Sequence, residues 1–147
     1  MQNVMADISD SDTANVVLLG VAVSSNPGTT GETTGQISRL SSQLNTEIGN
    51  YNAGQTIESV TFDKAGNSYT TFDNSTTSTG GIAISNKVAK NRDGQTYNTN
   101  QDSIITGTNT GLISPKGLDV ASDSGMILVA ENNADTPSIS IFSTCTT

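Results

Sequence analysis

An all-β fold is what this 147-residue chain predicts, and three observations carry that expectation. Residues 57–74 and 115–133 follow one pattern twice. Each has an apolar-alternating run, an acidic turn ending in Gly66 or Gly125, a second apolar run, and an acid followed by Asn. Self-similarity at a period of tens of residues is the mark of repeat architectures. Ser, Thr, Asn and Gly make up nearly half of the chain, a composition that favours turns and disfavours helices. No stretch of useful length carries a helical period. Together these predict a β-propeller-like array of four-stranded antiparallel blades, incomplete in this chain.

The elements follow in order. Residues 1–14 are polar and acidic, with Asp7, Asp10 and Asp12, and read as a solvated tail. Residues 15–23 form a strand whose Val and Leu run suits burial on both faces. Asn26-Pro27-Gly28, Gly31 and Gly35 mark a loop. Residues 36–41 return as its partner, with Ile37 and Leu40 as apolar positions, and 43–54 can hold a short irregular outer strand. A second unit begins at Thr56. Strand 56–63 carries Ile57, Val60 and Phe62, Asp63-Lys64-Ala65-Gly66 turns the chain, and 67–73 returns. A Ser/Thr loop over 74–80 leads into a strand over 81–88. The polar stretch 89–111 then offers only Ile104 and Ile105 as a strong apolar pair. The third unit has strands over 116–121, 126–131 and 138–142, with a turn through Gly125 between the first two. Partner strands starting near Ile37, Ile82 and Ile139 set blade units near 15–54, 55–111 and 112–147. Those starts are 45 and 57 residues apart, the excess of 12 falling in the polar stretch before Ile104, against blades of about 40–50 residues.

Charge and composition exclude several function classes. The net charge is −8, and the six basic residues are scattered without a stripe. Nucleic acid is therefore not an expected partner, and anionic membrane surfaces are disfavoured. The longest apolar run, 16–23, is too short to span a bilayer. With no His and a single Cys145, neither a Ser-His-Asp triad nor a His/Cys zinc site can be assembled. Gly28 to Gly35 lacks the Gly-Lys-Ser/Thr ending of a phosphate loop. The first 13 residues show no basic start or apolar segment of an export signal. The Lys-poor, Ser/Thr/Asn-rich composition favours an extracellular or periplasmic chain whose signal is already removed, with a cytoplasmic protein as the alternative.

The third unit carries a resemblance. Ser114-Pro115-Lys116-Gly117-Leu118-Asp119-Val120, the turn at Ser124-Gly125, Ile127-Leu128-Val129-Ala130-Glu131-Asn132-Asn133 and Ile139-Ser140-Ile141-Phe142 resemble a repeat of the NHL-type and SMP-30/gluconolactonase-like propellers. The 56–74 unit is a weaker copy, with Ser59 where Gly117 stands and Phe72-Asp73-Asn74 at the strand end. The match covers about two thirds of the chain and bears on fold more than on activity. Closed propellers need about 4–8 blades. Two good units and a partial one fall short, so the expectation is a piece of a longer protein or a chain completed by others.

That resemblance implies a candidate metal set. Glu131, Asn132 and Asn133 end an inner strand where lactonase-like propellers place acid and Asn ligands, and Asp73 and Asn74 hold the matching position. Such oxygen ligands suit Ca2+, Mg2+ or another divalent cation. The plainer reading is that Asp and Asn at strand ends build turns. Asn91-Arg92-Asp93-Gly94 through Asn98, Asn100 and Asp102 has the composition of a calcium loop, but Ala89 and Asn100 stand where ligands would be required. Asn74-Ser75-Thr76 is a glycan acceptor triplet of a kind that arises by chance in such a chain.

The expected function is a non-catalytic, secreted protein-binding or structural module, acting through loops 24–35, 74–80 and 91–111 and through exposed blade edges. Its partner is another protein or another copy of itself. A partial metal-dependent hydrolase of the lactonase type and a surface-layer or filament subunit are the alternatives.

Overall fold

The computed structural model describes residues 21–25, 35–40, 43–52, 56–74, 79–86 and 103–144. The acidic tail, the loops over 26–34, 75–78 and 91–102, and Cys145 lie outside them. Among the described residues ten strands form three antiparallel sheets, each a meander of consecutive strands. The first holds β1 (Val21–Ser25), β2 (Gln36–Leu40) and β3 (Glu47–Asn52). The second holds β4 (Ile57–Phe62), β5 (Ser68–Asn74), β6 (Thr79–Ser85) and β7 (Ser103–Thr106). The third holds β8 (Pro115–Ala121), β9 (Met126–Glu131) and β10 (Ser138–Ser143). A single 3-10 turn at Thr108–Thr110 is the only helical piece described. The chain is all-β.

The second sheet is covered on both faces. Tyr69 and Ile82 pack with Leu112 and with Ile127 and Val129 of β9, flanked by Ile84, Ile105, Leu118, Val120 and Phe142. On the opposite face Val60, Phe72 and Ala83 are also buried, and β1 lies against β4. Double coverage explains why β5 is buried although it reads Ser-Tyr-Thr-Thr-Phe. Ser68, Thr70 and Thr71 are all buried, and Thr70 Oγ1 donates to the Ala83 carbonyl at 3.4 Å.

The hairpin turns follow from local chemistry. Asp63 accepts from the Asn67 backbone N–H at 2.9 Å through Oδ1 and from Asn67 Nδ2 at 2.7 Å through Oδ2, and so closes the β4–β5 turn. Gly66 at φ 84° and Gly125 at φ 64° take the left-handed conformation that glycine adopts without strain. The two turns touch: Lys64 pairs with Asp123, and its backbone N–H donates to Ser122 Oγ at 3.3 Å.

Four-stranded blades are expected from the sequence, but among the described residues only the second sheet has four strands and the other two have three. Two further details differ from the sequence reading. β6 begins at Thr79, inside the expected loop, because Gly80 and Gly81 pair with Asp73 and Phe72. A Cβ on Gly81 would stand 2.5 Å from Phe72 Cζ and 2.6 Å from the Ile105 carbonyl, so glycine at this place permits close packing and does not signal a loop. The second detail is a pair of bulges. In β4 the register shifts between Ile57 and Ser59, leaving Glu58 as the extra residue; in β8 it shifts between Pro115 and Gly117, leaving Lys116. The bulges put Ile57 and Val60, and likewise Pro115 and Leu118, on one face despite their odd spacing.

Candidate functional site

The residues singled out from sequence gather at one end of the second and third sheets. Glu131 closes β9 and is 4% exposed. Its Oε2 accepts from the Ile113 N–H at 2.8 Å, and its Oε1 accepts from the Ser114 and Asn133 N–H groups at 2.8 Å each. The carboxylate thus fastens the segment entering β8 to the end of β9, and the Asn132 N–H adds a bond to the Ser114 carbonyl at 3.1 Å. Asn133 Oδ1 accepts from the Asp135 N–H at 2.8 Å, a local turn. Asn132 is exposed.

Asp73 meets the same segment from the other sheet. Its Oδ2 takes Lys116 Nζ at 2.6 Å and lies 3.5 Å from Ser114 Oγ. Lys116 also pairs with Glu58 at 3.0 Å, so the two bulge residues bridge the sheets. Burial pushes the Lys116 ammonium down, but hydrogen bonds to Asp73 and Glu58 outweigh it and leave the group above its ordinary range. Asp73 and Glu131 therefore share Ser114 as a neighbour, and their oxygens engage an ammonium and three backbone amides. Asn74 lies in β5 beside Thr79, its register partner. Among the described residues no three of His, Cys, Asp and Glu stand close enough to hold a metal ion.

Glu58, Lys116 and Ser114 were not legible as site residues. The only signal for the first two was the three-residue step from Ile57 to Val60 and from Pro115 to Leu118, which marks a bulge.

A second feature lies at the paired turns. Asp63, Lys64, Ala65, Tyr69, Val120, Ser122 and Thr144 line a cavity of about 200 Å³. Tyr69 donates its hydroxyl to Asp63 Oδ2 at 3.1 Å. Burial, and then the charge of Asp63, push the phenol up to about 12. The volume falls below the roughly 300–1,000 Å³ of ligand pockets. It suits a few waters.

The third feature is an apolar sheet face. In the second sheet Tyr69 pairs with Ile84 and Thr71 with Ile82. In the third sheet Leu128 pairs with Ile141 and Ala130 with Ile139, in the same arrangement. The first set is covered by the third sheet, and Ile82 is 0% exposed. In the second set Ile139 is 66% exposed and Ile141 62%, with Leu128 and Ala130 half-buried beside them. Two neighbouring isoleucines on one strand are thus both open to solvent. Compared with protein-family models, curated proteins and solved structures, the chain shows no match in any of the three.

Proposed function

We propose that this chain is a non-catalytic, extracytoplasmic module for binding or structural assembly, built on β-propeller-type blades of the NHL or SMP-30-like kind. Another chain, or the rest of a longer protein, completes it. The observation that supports this reading is the open apolar face of the third sheet, centred on Ile139 and Ile141. The equivalent face of the second sheet is a buried interface, so the residue types are those of a packed contact. The carboxylates of Asp73 and Glu131 are engaged by Lys116 and three backbone amides, which supports a structural role for them.

Native mass by light scattering, together with binding of an apolar-surface dye such as anilinonaphthalene sulfonate, tests the reading. Association, or a monomer whose dye binding disappears in Ile139→Glu/Ile141→Glu, is the expected result. A 15.1 kDa monomer that binds no dye overturns it. The lactonase-type alternative would draw on Asp73 and Glu131, which meet at Ser114. A divalent ion would have to displace Lys116 from Asp73 and backbone amides from Glu131. A rise in Tm with added Ca2+ that is lost in Asp73→Asn would favour that alternative.

A further inference from the structure

Resting on that assembly reading, we infer that the occupant of the open face is the first sheet of a second copy of this chain, stacked head to tail. Two such contacts would close a ring of six sheets. The third sheet supplies the template for the contact. Ile127 pairs with Phe142 and Val129 with Ser140, and these residues form the side of the third sheet that packs toward Tyr69 and Ile82. At the other end of the molecule the first sheet repeats that register. Val21 pairs with Leu40 and Val23 with Ser38, so Val, Val, Leu and Ser hold the positions of Ile, Val, Phe and Ser.

The state of the first sheet agrees with this. Ile37 is 2% exposed, while Ser38 and Leu40, on the opposite face of β2, are only half-buried. The described residues therefore offer two different surfaces. One carries the positions that receive a sheet (Leu128, Ala130, Ile139, Ile141), and the other carries Ser38 and Leu40, at the register positions of Ser140 and Phe142, which cover one. The contact between the second and third sheets already shows these two sets of positions packed together. Two unlike, mutually complementary surfaces on one chain make a heterologous contact, which closes into a ring when the rotation permits. Six sheets fall within the roughly 4–8 blades that close propellers.

Light scattering on the whole chain and two surface variants tests this. The wild type is expected at twice the 15.1 kDa of one chain, and both Ile139→Glu/Ile141→Glu and Leu40→Glu as monomers with unchanged far-ultraviolet circular dichroism. Mixing the two variants in equal amounts restores the dimer mass, because each retains the surface the other lacks. Should Leu40→Glu fail to fold, Ser38→Arg on the same face replaces it. A Leu40→Glu chain that still dimerises, beside a monomeric Ile139→Glu/Ile141→Glu, would show like faces meeting and overturn the head-to-tail contact. Mass that grows without limit on concentration would overturn the closed ring. A wild type that stays at 15.1 kDa but binds the dye at Ile139 and Ile141 would overturn the second copy and leave the assembly reading standing. One that binds no dye would overturn both.

Discussion

Replacing Glu131 by alanine tests how the third sheet is held together. The carboxylate is 4% exposed and accepts three backbone N–H groups at 2.8 Å each, from Ile113, Ser114 and Asn133. Hydrogen bonds to a charged acceptor are worth about 1.5–3 kcal/mol each, and a buried donor left unpaired costs about 1–3 kcal/mol. Ile113 is exposed and Ser114 and Asn133 are half-buried, so water can replace part of what is lost. The three terms do not add in full. The expected loss is about 3–5 kcal/mol, and at about 2–4 °C per kcal/mol for a chain of this size Tm falls by roughly 6–20 °C. Urea denaturation followed by circular dichroism measures the loss, and amide exchange at Ile113, Ser114 and Asn133 localises it. Glu131→Gln keeps one acceptor but sets an NH2 donor against the remaining amides, and should fall between wild type and alanine. A loss below about 1 kcal/mol for Glu131→Ala would refute the fastening role.

Three further predictions follow from single observations. Tyr69 is raised to about 12 from an ordinary value near 10, so its neutral form is favoured by folding. The stability it contributes is complete below pH 10 and is lost as pH rises from about 10 to about 12, to a limit of roughly 2–3 kcal/mol. Absorbance at 295 nm should show one of the three tyrosines titrating late, and Tyr69→Phe should abolish both the late titration and the alkaline loss. Gly81→Ala drives a Cβ into Phe72 and the Ile105 carbonyl and should cost about 1–3 kcal/mol by denaturant titration; an unchanged midpoint would mean that β6 and β7 are not packed this closely. Thr71 Oγ1 is buried without a hydrogen-bond partner among the described residues. Thr71→Val should therefore raise stability by about 1 kcal/mol, and a decrease would reveal a partner for the hydroxyl.

Much of the strand layout was legible because it rests on neighbours in the chain. Alternation in residues 56–63 and 138–142 and the apolar runs at 68–72 and 126–130 are local signals, and β4, β10, β5 and β9 lie there. The isolated apolar pair Ile104 and Ile105 sits in β7, the outermost strand of the second sheet. Asp63 and Gly66 announced their turn by chemistry that acts across four residues. The start of β6 was not legible, since Thr79-Gly80-Gly81 has loop composition and becomes strand only against Asp73 and Phe72. At the strand ends, Glu131 and Asp73 were visible as acids but not by their partners. Lys116 and Ser114 stand some forty residues from Asp73, and no local pattern links them.

The sequence alone determined that the chain is rich in strands, where the turns at Gly66 and Gly125 fall, and that no histidine-based chemistry is open to it. Backbone propensity, period-two alternation and the list of available side chains act locally, so they can be read in order along the chain. Only the tertiary structure decided which of the identical-looking apolar positions are core. Ile82 and Ile139 sit in similar strands at matching register, yet one is 0% exposed and the other 66%. Burial depends on whether another sheet lies across the face, and in this molecule a third sheet covers the first position while no described residue covers the second.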